Sequence, residues 1–244
     1  MKQRATAITV LFICGLIGLG IGQGLRVRYE HRLANTIWPT NLPDVSVQAG
    51  TSDNALPTVL FLGDSRIADW GLPRIKGWNV VNAGVRGGTS GQIRMAAPKL
   101  LDAFHPQAVV IEVGINDLKY LGLRPREASV VVPLVESNTT SLIMECTNQG
   151  SRVILLEVWP PGPVSLARRM VWSGMVMISV DQVNSWLQTL TAQSGTVRVV
   201  DIFQSAGLKL RPDQYRDTLH LAPGIYSLLT PALERELAGL SSEK

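Results

Sequence analysis

Five short apolar runs, TVLFLGDS, WNVVNAG, QAVVIEVG, SRVILLEV and TVRVVDIF, recur across residues 58–203, each bounded by turn-forming residues and rich in Val, Ile and Leu. None alternates apolar with polar residues, as a half-exposed strand would, so the runs belong to strands buried on both faces. Between them lie stretches long enough for crossover helices, such as SGQIRMAAPKLLDAF after the second run and VSLARRM through NSWLQTL after the fourth. Strand-helix alternation predicts an α/β domain with a parallel sheet held between helix layers. Open sheets of this kind bind ligands at the carboxyl ends of their strands, so the residues following each run are the ones to search for chemistry.

The chain has 244 residues, enough for one such domain and a short appendage. Hydrophobic residues are concentrated at the N-terminus, where Thr6–Leu25 carries no charge. At about 1.5 Å per residue that stretch can cross a hydrocarbon core of about 30 Å. It predicts a single-pass membrane anchor over residues 1–28, a stalk over 29–56 and the α/β domain over 57–240. A cleaved signal peptide is the rival reading, since Lys2 and Arg4 form a basic start, but the apolar run is longer than usual and no A-x-A site follows it. A lipoprotein site at Cys14 is disfavoured by Ile13 before it, and Gly18 and Gly22 have the spacing of a weak helix-dimerisation signal. The flanking charges slightly favour an extracytoplasmic α/β domain. Residues 30–57 mix Pro, Asn, Ser, Asp and Gly without sustained periodicity, as a stalk would.

A formal charge of +4 could suggest nucleic acid, but the Lys and Arg residues are dispersed, which argues against that partner. Cys14 and Cys146 lie too far apart in character to form a disulfide framework and read as free thiols. Met170, Met175 and Met177 read as core fillers, and Trp159 and Trp172 as buried packing before cleft lining. Asn138-Thr139-Thr140 is a glycosylation sequon only in a cell that glycosylates. The oligomeric state is left open.

The first run ends in Gly63-Asp64-Ser65, a serine at a strand-to-helix turn, where a hydroxyl projects and a backbone N–H is free to bind an oxyanion. A serine nucleophile needs a base, commonly histidine. Of the three histidines, His31 adjoins the apolar segment and His105 precedes Pro106 at a helix end, which leaves His220 in Asp217-Thr218-Leu219-His220. That spacing can bring a carboxylate against one imidazole nitrogen; the plainer reading of Asp217 is an N-cap for a helix beginning near Pro223. The third run leads into Gly114-Ile115-Asn116-Asp117, where the Asn116 amide could donate to an oxyanion, although both polar residues also suit a turn or cap. The second leads into Asn82-Ala83-Gly84-Val85-Arg86-Gly87-Gly88-Thr89, a glycine-rich turn whose N–H groups can approach a ligand. A phosphate-binding loop is the competing reading, but the Gly-Lys-Ser/Thr of a Walker motif is absent.

Together, GDS, NAGVRGGT, GIND and DTLH, in that order between about Thr58 and Leu221, resemble the SGNH hydrolases, also called GDSL esterases and lipases. The resemblance implies a flavodoxin-like three-layer sandwich with about five parallel strands. It also implies Ser65 as nucleophile, Asp217 and His220 as its partners, and an oxyanion hole of Ser65 N–H, Gly87 N–H and the Asn116 amide, with Gly84 as the alternative to Gly87. Arg86 and Gly88 depart from the small and polar residues frequent beside that glycine. Arg66, Arg86 and Asp117 are further candidates for substrate binding. The two arginines would form a positive rim for an acidic or phosphate-bearing substrate, unless they are simply solvated. The expected activity is hydrolysis of an O-acetyl or short acyl ester on a carbohydrate or envelope component through an acyl-serine, with no metal or organic cofactor. O-acyl transfer and a catalytically silent glycan-binding protein are the alternatives.

Overall fold

The computed structural model describes residues 20, 22–50, 53–190 and 195–242. A helix over residues 22–37 (α1) leads to a short edge strand, β1 (Gln48–Ala49). Then follow β2 (Thr58–Gly63), α2 (Ser65–Trp70), β3 (Asn79–Gly84), α3 (Ser90–Phe104), β4 (Ala108–Glu112), α4 (Ile115–Leu118), α5 (Ala128–Asn148), β5 (Arg152–Leu156), α6 (Met175–Leu190), β6 (Val197–Val200), α7 (Ile202–Ser205) and α8 (Pro223–Ser242). The five apolar runs of the sequence are β2 through β6.

The sheet order is β1-β3-β2-β4-β5-β6, parallel throughout except for β1, which pairs antiparallel with β3. The chain winds one way from β2 to β3 and the other way from β2 to β4. The topological switch point, where such sheets open a crevice, therefore lies between β2 and β4. Register places Gly63 level with both Gly84 and Glu112, so the loops leaving β2, β3 and β4 start from one line.

Period-two alternation sends Leu60 and Leu62 of β2 to one face and Val59 and Phe61 to the other, both completely buried. The first face packs against α1, α3, α5 and α6, the second against α2, α7 and α8. At Gly84 a side chain is impossible without rearrangement, because a Cβ would lie 2.3 Å from Ala68 N. This contact lets α2 lie directly on β3 beneath the nucleophile turn. The capping box of Thr89 and Gln92 starts α3, and His105, at φ 41°, closes it in a left-handed C-cap.

One expectation about the N-terminal third is corrected, and a second falls mostly outside the described residues. The interval 29–56 is not a free stalk: Leu33 and Ile37, one turn apart on α1, are buried in the core, Thr89 Oγ1 donates to Thr36 O at 2.6 Å, and β1 extends the sheet. Two apolar residues four apart are too short a pattern to register as periodicity in sequence, yet they suffice to dock a helix end. The predicted span over Thr6–Leu25 lies mostly outside the described residues. Among the described residues no helix is long and apolar enough to cross a membrane.

The VSLARRM stretch is also not helical as a whole. Pro160, Pro161, Pro163 and Gly174 break it into a loop with one 3-10 turn, Arg168–Val171. Met170 and Met177 are exposed rather than core-filling, whereas Trp159 is fully buried. Cys146 is a buried free thiol, and Asn138 is buried with its amide donating to Ser90 Oγ.

Because Ile37 is only 1% exposed and packs on the sheet-facing core, Ile37→Ala should lower the unfolding free energy by about 2–5 kcal/mol. Urea denaturation checks this; a loss below about 0.5 kcal/mol, typical of a surface site, would mean that α1 does not dock.

Candidate active site

Ser65 sits at the first position of α2, whose N-cap Asp64 accepts from Arg66 N at 2.8 Å. As a first-turn residue it has no intrahelical acceptor for its own N–H. Its Oγ lies 2.8 Å from His220 Nε2. On the far side of the ring, His220 Nδ1 lies 2.8 Å from Asp217 Oδ2 and 3.0 Å from Oδ1. Asp217 Oδ1 also accepts from the backbone N–H groups of Leu219 and His220, so the carboxylate organises its own loop instead of capping the helix that starts at Pro223. A bridge between Tyr215 and Leu221 closes the base of that loop.

Asn116, in α4 at the end of β4, reaches across the switch point. Its Nδ2 donates to Gly88 O at 2.9 Å and to Asp64 Oδ2 at 3.1 Å, and Lys119 Nζ donates to its Oδ1. Between Val85 and Gly88 the chain makes a turn closed by Gly88 N–H to Val85 O, 2.8 Å, with Gly87 at φ 74° in its third position. That left-handed conformation favours glycine. Gly84 is not free to serve in its place, because its N–H donates to Asn82 Oδ1 at 2.9 Å.

Arg66 does not line a rim. It is 1% exposed and holds three segments at once, donating through Nε to Leu219 O at 2.9 Å and through Nη1 to Trp159 O at 2.7 Å, with Glu112 Oε1 3.4 Å away. Arg86 stays at the surface, 2.7 Å from Asp69, a carboxylate that it shares with Arg216 at 2.9 Å. Asp117 is wholly buried and accepts from Ser90 N and Oγ, which anchors the start of α3; it has no route to a substrate. His31 and His105 stand apart from the site, on α1 and at the end of α3.

The model of the GDSL-like lipase/acylhydrolase family matches residues 46–228, more than half of the chain and every segment just described. The chain belongs to this family. An arylesterase from Vibrio mimicus is 29% identical over 125 residues, 45% of this chain and 58% of that protein. Esterase TesA from Pseudomonas aeruginosa is 32% identical over 126 residues, 46% of this chain and 59% of that protein. The chain thus spans somewhat over half the length of these curated relatives. Among solved structures, a GDSL-like lipase from Bacteroides thetaiotaomicron superposes with a TM-score of 0.59 at 16% identity, covering 88% of this chain and 97% of that one, a likeness of fold.

The family motifs did not disclose the charges behind them. Burial, and then the neighbouring Asp64, push the Glu112 carboxyl up to about 8 against the pull of Arg66. Burial likewise raises Asp64, opposed by Arg66, Lys119 and His220, and lifts Asp117 to about 6 against its bonds from Ser90. For Asp217 burial works upward too, but hydrogen bonds from Leu219 and His220 hold it at about 2, so it remains a carboxylate at any working pH. Glu112 could have been suspected from sequence, as the one charged residue in a run buried on both faces. Lys119 carries a weaker signal, one helical turn beyond Asn116.

Unfolded, Glu112 releases its proton near 4.5, whereas folded it does so near 8. The native state therefore binds more protons across that window, and its stability falls as pH rises through it. Wild-type stability should decline between about pH 7 and 8, above the titration of Asp117, and Glu112→Gln should decline less. Equal slopes in denaturant titrations of the two proteins would refute the assignment.

Proposed function

We propose that this chain is a serine esterase. His220 Nε2 takes the Ser65 Oγ proton as Oγ bonds to an ester carbonyl carbon; the C–O bond to the alcohol then breaks, and His220 returns the proton to the departing oxygen. Water, deprotonated by the same nitrogen, then releases the acid from the acyl-serine. Asp217 holds the imidazole in the required tautomer and stabilises its protonated form. The observation that carries this reading is the unbroken contact from Ser65 Oγ through His220 to Asp217, 2.8 Å at each link.

The backbone N–H groups of Ser65 and Gly87 and the Asn116 amide are the donors for the tetrahedral oxyanion. Each such donor contributes about 3 kcal/mol of transition-state stabilisation in comparable sites. Asn116 serves by sharing the proton of its longer contact, that to Asp64 at 3.1 Å. The mechanism calls for no cofactor. Esterases among the relatives support the reaction class, and the apolar N-terminal stretch supports a membrane-held, outward-facing domain acting on a short, O-acetyl-type ester of a carbohydrate or other envelope component.

Hydrolysis of p-nitrophenyl acetate by the full chain tests this. Ser65→Ala and His220→Ala should each lower kcat by at least about 10^3-fold, and Asp217→Asn by about 10^4-fold, with little change in KM. Activity equal to wild type in the first two variants would sink the assignment.

A further inference from the structure

One group of cations adjoins the machinery above. Lys119, bonded to Asn116, opens the 3-10 turn Lys119–Gly122. The Arg168–Val171 turn packs onto it so closely that a Cβ on Gly122 would lie 2.5 Å from Val171 O, and Ser173 Oγ donates to Leu121 O at 2.9 Å. From the other side comes the end of α1, with Trp38 edge-on to Tyr120 at 6.1 Å between ring centroids. Three segments distant in sequence thus converge beside the oxyanion side of the site, and each brings a cation: Lys119, Arg168 and Arg32. Their proximity registers on Lys119, whose ammonium is pushed down by burial first and, against the pull of Asp64 and Asp117, by the charges of Arg168 and Arg32.

Four other arginines contact carboxylates: Arg66 contacts Glu112, Arg86 and Arg216 share Asp69, and Arg124 pairs with Glu30. Among the described residues Arg168 and Arg32 have no such partner. The Arg168 guanidinium lies over the Trp172 ring, 5.6 Å from its centroid, and its Nη1 is buried without a hydrogen-bond acceptor among the described residues. Covering an unpaired donor of this kind is costly, and gathering like charges adds to that; an incoming anion would lower both penalties.

We propose that Lys119, Arg168 and Arg32 form an anion subsite that receives a carboxylate or phosphate carried on the alcohol part of the ester. The inference rests on the esterase reading and narrows its substrate to esters of acidic alcohols. A guanidinium held over an indole face is preorganised for a carboxylate or phosphate and suffers little further loss of freedom on binding one.

The test compares kcat/KM for 4-acetoxybenzoate with that for its methyl ester, and for 4-acetoxyphenyl phosphate with that for phenyl acetate, in wild type, Arg168→Gln and Arg32→Gln. Taking each as a ratio of anionic to neutral ester cancels general damage to the fold. The ratio should fall by about tenfold in Arg168→Gln, and by less in the more exposed Arg32→Gln, in at least one arm. The arm that falls further identifies the anion. Ratios unchanged in both arms would overturn the subsite while leaving the esterase reading intact. Inorganic phosphate at constant ionic strength supplies a readout independent of turnover. It should raise Tm in wild type more than in Arg168→Gln; equal shifts, or none, overturn the subsite even in a protein that hydrolyses nothing.

Discussion

The Arg66 guanidinium joins what the backbone leaves separate. Ser65 and His220 are 155 residues apart in sequence, and the loop bearing the histidine belongs to no strand of the sheet. Arg66, adjacent to the serine, donates to the carbonyl of Leu219, adjacent to the histidine, and to that of Trp159 at the end of the β5 region. A rigid planar fork with donors in fixed directions is suited to holding three chain segments at set distances, which a lysine could not do. Desolvating that charge is expensive, and a buried ion pair is poor evidence of net stabilisation. The geometry of the site, more than the stability of the fold, accounts for keeping a cation there.

The companion acids bear this out. At 3.4 Å the contact of Arg66 with Glu112 is longer than the 2.7–2.9 Å of a charge-assisted bond. Burial dominates, and it raises both Glu112 and Asp64. The fixed arrangement is carried by bonds from Arg66 to backbone carbonyls, whose strength does not vary with the protonation of a neighbouring acid.

Much of the fold was legible because its signal is local. Continuous apolar runs mark strands covered on both sides, and each of the five became one, in a parallel order with the switch point beside Ser65. The serine, histidine, aspartate and asparagine were also within reach, since each lies in a short motif at a strand end or on the one loop that offers a histidine. Arg66 was not. A residue next to a nucleophile in an exposed-looking turn reads as a rim charge, and its burial arises only once the Asp217–Leu221 loop folds over it. Asp117 was misplaced for a similar reason: its partner, Ser90, is 27 residues away and belongs to the next layer. The docking of α1 rests on Leu33 and Ile37 alone, a pattern too brief to stand out from the surrounding polar sequence.

These placements redistribute the charge around the reacting atoms. Of the two arginines expected at the rim, Arg66 withdraws to the interior, while Arg86 stays at the surface and shares the single carboxylate of Asp69 with Arg216. A further cation lies behind the oxyanion donors. Lys119 bonds the oxygen of the Asn116 amide, which fixes the orientation of that amide and draws electron density from its NH2 group toward the carbonyl. Burial pushes Asp64 and Glu112 toward their neutral forms, and Lys119 toward its own, so Arg66 is the charge beside Ser65 that burial leaves in place. A transition state that gathers negative charge on the carbonyl oxygen would then develop it near a fixed cation already in place, with little reorganisation needed as it forms.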